Sequence, residues 1–479
     1  MTLSEPALRP ALSGRTSPKA KPILTQVRGR LPLPVILYFL TIFLPFEFNI
    51  GSVFMTGPRC ILIVLIVPLF IKLLMGHYGR LIWPDLLFLL YCPWAIYTLH
   101  LNNPDSALSF GGSVALEFYG GYLLARAYIR TPETFAAMCR GLFLLVFMTI
   151  PFAMYEAKTG HAPIPEAINK LPFFFSFDDF YNELAGIRMG LERSQVIFSH
   201  PIHYGLFCST TFALCYAGFK NIYSTTFRYL VSLILAVGVF LSLSSGALLP
   251  MVLMAGLIFW AWAWDKVPSR WIIFAVWVAF CYVVVDLLSN RTPIQVFLSY
   301  ATFSPHNAYW RVLIFEWGMK NVWKHPLYGL GLNDWEREWF MHGSSMDNFW
   351  LLNTVRYGIP GFLLIAGGFA LAIWKIGIRK IEEGSVTWQF RRAWMITLVG
   401  LSLSLCTVDV WATIFSYVAF LFGSGMWMLS GERLAPKSIS RVQSPKLAAQ
   451  TIRPSTEVGK STGLVYTRFT DIASRDPKP

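Results

Sequence analysis

Windows of about 20 mostly apolar residues, the length of helix that crosses a bilayer, recur along this chain between short polar joints. Twelve can be drawn: 32–50, 59–76, 81–100, 108–126, 136–155, 197–218, 226–244, 246–264, 271–289, 350–375, 393–410 and 412–430. The pattern predicts an all-α, polytopic membrane bundle of about twelve spanning helices. The range is ten to twelve, because the third window holds Pro84, Asp85 and Pro93, and only Ser244, Ser245 and Gly246 divide the seventh from the eighth. Two longer polar connections, 156–196 and 290–349, break the rhythm. Within the second, Ser304 as cap and Pro305 as first helical residue open a helix. Its apolar stripe falls at 310, 313 or 314, 317 and 322, and Glu316 pairs favourably with Lys320. This is the pattern of an amphipathic helix lying on the membrane surface and ending before His325-Pro326.

Composition agrees with a membrane solvent. Apolar residues make up 55% of the chain and charged residues 14%, against roughly 25% charged in soluble domains, so an ordinary soluble multidomain enzyme is excluded. The net charge of +14 raises the question of nucleic acid, but position answers it. Arg9, Arg15, Lys19, Lys21, Arg28 and Arg30 face a lone Glu5 in the first thirty residues, and nine basic residues face four acidic ones after Gly431. These excesses lie in flanking tails and form no groove. Residues 1–30 and 431–479 are expected to be disordered cytoplasmic tails around a membrane domain at 31–430. No A-x-A type cleavage site precedes the first apolar run, so that segment is expected to stay attached. Seven cysteines without CxxC spacing read as small buried hydrophobes, with no metal or redox work.

Short connections that keep Lys and Arg resist translocation, which orients the bundle. With twelve spans and the tails inside, the cytoplasmic joints are Lys72 to Arg80, Arg126 to Arg130, Lys220 to Arg228, Asp265 to Arg270 and Lys375 to Arg392, each of which is basic. The two long loops and the turn near Ser245 then face outward, together with the joint near Val410.

The polar residues of those outward segments are the candidate chemistry. In loop one, Arg188 and Arg193 precede His200-Pro201-Ile202-His203 at a helix mouth. Guanidinium forks suit phosphate oxygens and hold their charge, so the pair is set to bind an anionic, lipid-linked substrate. The alternative is headgroup anchoring, or ion pairing with Asp178, Asp179, Glu183 or Glu192. His200 is a candidate base or sugar contact and equally a structural hydrogen-bonding group at the helix start, whereas for His203 the structural role leads. In loop two, Arg311 lies off the apolar stripe, and His325 more simply closes its helix. Asp347 is placed to cap the next helix, whose turns bring Asn348, Leu352 and Arg356 near one face before Gly358 and Pro360 break it. Arg356 needs a carboxylate, carbonyls or an anionic ligand. Glu117, a lone charge inside a window, is expected to pair across helices, with Arg356 as a candidate partner; Asp286 and Asp409 lie near span ends and are expected to reach water.

The order Arg188-x-Gly-Leu-x-Arg193, Phe198-x-His200-Pro201-Ile-x-x-Gly205, Trp310-Arg311 and His325-Pro-Leu-x-Gly-x-Gly331 resembles the O-antigen ligase and polysaccharide polymerase superfamily. Asp347-Asn348-x-x-Leu and Tyr357-Gly-Ile-Pro-Gly361 resemble its closing motif, so the likeness covers roughly residues 110 to 375. The resemblance implies a GT-C-like membrane glycosyltransferase using undecaprenyl-pyrophosphate-linked glycans at the periplasmic face of the bacterial inner membrane. It implies no cofactor, metal or nucleotide sugar, and it names a glycan acceptor, membrane lipids and other polysaccharide assembly proteins as partners. By resemblance the catalytic group is Asp347, His200 and Arg311, with Arg188, Arg193, Arg356, His325, Asn348 and Glu117 binding substrate. Ligases of the family carry His where this chain has Asp347, and many relatives carry Arg near the Ser242–Gly246 junction. The first departure weakens the ligase reading and leaves polymerisation of O-antigen or exopolysaccharide repeat units ahead of ligation to lipid A core; the second implies that one phosphate contact is supplied elsewhere. Transport or flipping of a lipid-linked sugar is the third reading, opposed by the lack of duplication between the halves.

Overall fold

The computed structural model describes residue 27 and residues 29–51, 53–176, 187–300 and 305–430. The tails expected at 1–30 and 431–479 fall almost wholly outside the described residues, as do Asp178, Asp179, Glu183 and Ser304. The protein is a helical membrane protein. A helix lies in each of the twelve apolar windows. Among the described residues six helices are long and apolar enough to cross a membrane: Gly57–Leu74, Pro132–Thr159, Ser245–Ala263, Arg270–Leu288, Phe349–Ile378 and Ala412–Leu429.

Two local expectations are corrected. The first window carries helix only over Leu33–Phe43 (α1), because Pro45 biases Leu44 out of helical geometry; Leu44 has φ −105° and ψ 91°. The chain then forms an antiparallel hairpin, β1 (Glu47–Ile50) with β2 (Val53–Thr56), so the bundle is not purely helical. Glu47 also bridges to Phe175 of loop one, which ties the hairpin to that loop. The second correction concerns Asp347. The cap of the helix Phe349–Ile378 is Asn348, whose Oδ1 accepts from the Leu351 amide at 3.0 Å, so Asp347 is not consumed in capping.

The elements follow from their local signals. Thr56 caps α2 (Gly57–Leu74) and accepts from the Arg59 amide. After α3 (Trp83–Asn102), a continuous helical run comprises α4 (Pro104–Ala115), a π-helical turn (Leu116–Gly120) and α5 (Gly121–Tyr128). Helix α6 (Pro132–Thr159) starts on a Thr131-Pro132 cap and stops at Gly160, whose φ of +76° closes it. A short α7 (Pro163–Asn169) follows, then α8 (Pro201–Tyr216), α9 (Thr225–Leu241), α10 (Ser245–Ala263) and α11 (Arg270–Leu288). Loop two folds as α12 (Pro293–Tyr300) and α13 (Pro305–Lys324), the latter with the expected bounds. The last helices are α14 (Phe349–Ile378), α15 (Val386–Ser404), α16 (Ala412–Gly423) and the short α17 (Trp427–Ser430).

Helix α8 sits at the centre, packed by α6, α9, α10 and α15, and most of its length is buried. Helix α14 lies along α3, and α16 along α5. The buried aromatic core runs through Phe88, Phe118, Phe369, Phe415 and Phe422. Several polar groups inside it are paired, which a low-dielectric interior favours. Asp85 meets Arg126 at 3.3 Å and accepts from the Tyr122 hydroxyl, and Tyr91 donates to Asn353 at 2.6 Å. Glu117 pairs with Arg59 of α2 at 2.7 Å, not with Arg356.

Candidate functional site

Loop one is held by its backbone before it presents any side chain. Met189 (φ +56°) and Gly190 (φ +76°) make a tight turn closed by two hydrogen bonds between Arg188 and Leu191, at 2.9 and 3.0 Å. The next residues dock on the break between α9 and α10. The Ser194 amide donates to the Leu241 carbonyl at 3.0 Å, Arg188 Nη1 to the Leu243 carbonyl at 2.9 Å, and Arg193 Nε to the Ser242 carbonyl at 3.4 Å. From beneath, the buried Glu156 carboxylate accepts from the Gln195 and Val196 amides at 3.0 and 2.9 Å. Val196 (φ +54°) and Leu243 (φ +44°) stand in the left-handed region, which costs about 1–3 kcal/mol each for such residues. Strain of this kind persists only where neighbouring contacts overdetermine it, and here it lies beside the two arginines.

His200 caps α8: its Nδ1 accepts from the Ile202 amide at 3.1 Å, and Pro201 takes the first helical position. That hydrogen bond holds Nδ1 unprotonated and leaves Nε2 as the N–H. Burial, then the charges of Arg193 and Arg188, pushes the His200 pKa down to about 4, so the ring is neutral at pH 7. His203 points inward, its ring 4.0 Å from that of Trp411 and its Nε2 donating to the Asp409 carbonyl at 3.4 Å.

Arg188, Arg193 and His200 meet residues from several other segments around one cavity of ≈ 830 Å³. Arg188, Arg193 and His200 come from loop one, Arg311 from α13, Asp347 from the turn before α14, Arg356 from α14 and Asp409 from the joint before α16. Ser244 and Ser245 of the α9–α10 break also line it. Four guanidinium groups thus face two carboxylates, and the cavity carries a positive excess suited to an anion.

The charges sense one another. Arg193 and Arg311 are both buried. Burial and the neighbouring Arg188 lower the Arg193 pKa to about 10, with Asp347 opposing; burial also lowers that of Arg311, again against Asp347. The Asp347 carboxylate opens into the cavity but is walled by protein, which raises its pKa above the ordinary aspartate range, with Arg311 and Arg193 pulling it back. Asp409 is raised to about 7, chiefly by burial, against Arg356 and the Val410 amide.

The structure therefore gathers Arg188, Arg193, His200, Arg311, Asp347 and Arg356 around one space. The remaining candidates lie elsewhere. His325 is exposed at the end of α13, its amide donating to the Asn321 carbonyl at 3.0 Å. Asn348 is a helix cap beside an apolar groove, and Glu117 lines a second cavity with Arg59. Sequence reasoning expected Asp409 to reach water and passed over Glu156 and Trp411. Asp409 had a signal, since it is an acid in a joint between apolar windows on the side that carries the two long loops. Glu156 had none, because its role is to hold a backbone that only the fold brings near.

Residues 230–366 match the family model described as O-antigen ligase, a segment that contains Arg311, Asp347 and Arg356 but not Arg188, Arg193, His200 or Asp409. No curated protein matches the chain.

Proposed function

We propose that this protein, whose residues 230–366 match the family model described as O-antigen ligase, is a metal-independent glycosyltransferase of the bacterial inner membrane, acting on undecaprenyl-pyrophosphate-linked glycans at the periplasmic face. Its reaction is polymerisation of repeat units of an O-antigen or exopolysaccharide. The observation that carries the reading is the single cavity lined by Arg188, Arg193, Arg311 and Arg356 beside the carboxylate of Asp347.

In this mechanism the pyrophosphate of the donor lies against the arginines. An acceptor hydroxyl attacks the anomeric carbon, the new carbon–oxygen bond forms as the bond to the phosphate oxygen breaks, and the electron pair leaves with the pyrophosphate. The guanidinium groups compensate the charge that develops there, an effect for which removal of one donor costs about 10²–10³ in rate. The acceptor's proton passes to Asp347. Asp347 presents carboxylate oxygens to the cavity, whereas the acceptor nitrogen of His200, Nδ1, is already engaged by the Ile202 amide. No protein nucleophile is needed, because the donor is already activated and the remaining task is to position two large partners. The basic joints on the opposite side support the reading of an outward cavity in a bundle of about twelve spans with both termini in the cytoplasm.

Ligation to lipid A core is the second reading, favoured by the description of the matching family model. Deleting the protein and analysing surface glycan separates them. Single repeat units left on carrier or core indicate lost polymerisation, and full chains stranded on the carrier indicate lost ligation. Complementation with Arg193→Ala, Arg311→Ala or Asp347→Ala is expected to restore less than about one hundredth of wild-type transfer. Normal glycan from all three variants overturns the assignment.

A further inference from the structure

A second cavity, of ≈ 490 Å³, lies against the first. The two share Leu352, Arg356, Asp409 and Trp411, so those residues form the junction between them. The second space differs in charge. Its far wall is the closed ion pair of Arg59 with Glu117, and with Arg356 and Asp409 at the junction its formal charges balance. It is therefore a poor host for a diphosphate and a good one for a neutral polar molecule.

The lining fits that description. Ser106, Ser109 and Ser113 stand on one face of α4, in step with Glu117 further along the same run. Ser113 Oγ donates to the Ser109 carbonyl at 2.8 Å and Ser109 Oγ to the Ser106 carbonyl at 3.3 Å, leaving hydroxyl lone pairs to accept from a ligand. Two rings line the same space, Phe110 beside the serines on α4 and Trp411 from the joint before α16, and supply flat apolar platforms. Convergent hydroxyl-binding groups among aromatic faces are what a pyranose, polar at its rim and apolar on its C–H faces, requires. The π-helical turn at Leu116–Gly120 reinforces the point. It is a local departure from α geometry of the kind enriched at functional sites, and it contains Glu117, the residue that closes the cavity.

Resting on the glycosyltransferase reading above, we infer that this second cavity is the acceptor subsite: it takes the terminal neutral sugars of the acceptor glycan and delivers the attacking hydroxyl past Arg356, Asp409 and Trp411 to the donor held among the arginines. Donor and acceptor thus enter separate compartments, and the serine face of α4 sets which acceptor is used.

The test uses full-length protein in lipid nanodiscs and two probes. One is inorganic pyrophosphate. The other is the neutral oligosaccharide released by mild acid from the lipid-linked glycan that accumulates in the deletion strain. Ser113→Phe and Ser109→Leu each fill the second cavity, and Ser109 is exposed enough that its variant tests the site without loading the core. Both variants are expected to weaken oligosaccharide binding at least tenfold while pyrophosphate binding, which also reports an intact fold, stays within twofold. Arg193→Ala is expected to do the reverse. If Ser109→Leu keeps oligosaccharide affinity within twofold, or if pyrophosphate and oligosaccharide compete for one site, the inference is overturned. Failure of the function itself looks different: a deletion strain with normal surface glycan sinks the glycosyltransferase reading before either probe is used.

Discussion

Asp409 shows how much a single side chain can depend on its setting. Burial lifts its pKa to about 7 even though Arg356 and the Val410 amide both stabilise the charged form. The sign of the consequence follows directly. Above pH 7 the carboxylate is ionised and repels an anion in the cavity; below it the carboxyl is neutral and the arginines act with less opposition. Relative to Asp409→Asn, a comparison that cancels the probe's own protonation in this range, wild-type pyrophosphate affinity is therefore expected to rise as pH falls from 8 to 6. Asp409→Asn, neutral throughout, is expected to bind about fivefold more tightly than wild type at pH 8, on the order of 1 kcal/mol for one unit charge at a partly solvated wall, and to match it at pH 6. Identical profiles by isothermal titration calorimetry would show that Asp409 does not face the anion. His200 adds nothing to this window, since a group with a pKa near 4 stays neutral across it. The arginines were legible as residues, because a guanidinium cannot discharge and needs a partner wherever it sits. The titration of Asp409 was not, because it depends on which neighbours surround the carboxylate.

Helix boundaries illustrate what local chemistry settles. The Pro305 start and the His325-Pro326 stop of α13, and the break at Gly358, were all visible in the chain, since Pro and Gly impose their geometry without help from tertiary contacts. The cap of α14 was misjudged by one residue. Asp347 and Asn348 are both competent caps, and the docked turn selected Asn348, leaving Asp347 to face the cavity. Gly358 carries the sharpest constraint among these features. Its φ of 72° and ψ of 177° are open essentially to glycine alone, and a Cβ there would stand 2.1 Å from the Leu327 carbonyl oxygen. Gly358→Ala is expected to destabilise the protein by more than about 2 kcal/mol, since backbone strain and a collision with main chain add. Fluorescence-detected size exclusion after heating reads this as a lower melting point, and a variant as stable as wild type would mean that α14 is not kinked there.

At the scale of the whole molecule the open quantity is orientation, since the geometry of the cavity is the same whichever way the bundle faces. The charge bias of the short joints predicts that Ser345, beside the arginine cavity, lies outside and Glu383, in the turn between α14 and α15, inside. In a background where the partly accessible Cys60, Cys281 and Cys406 are serine, Ser345→Cys is expected to react with a membrane-impermeant maleimide in intact cells. Glu383→Cys is expected to react only after permeabilisation. The opposite pattern would put the cavity in the cytoplasm and end the proposal of a periplasmic reaction.

By itself the sequence determined that this is a helical membrane protein, where its apolar helices lie and which polar segments carry cations. Those properties come from the solvation of each stretch and from residues with intrinsic backbone limits, and both act over a turn or two of chain. Only the tertiary structure decided that Arg188, Arg193, Arg311 and Arg356 surround one space while His325 and Asn348 do not. It also decided that Glu117 answers Arg59 and that a second, charge-balanced cavity adjoins the first. The physical reason is that convergence is set by contacts between residues far apart in the chain, such as the Glu156 carboxylate on the amides of Gln195 and Val196 and the arginines on the carbonyls of the α9–α10 break, and no local pattern encodes those distances.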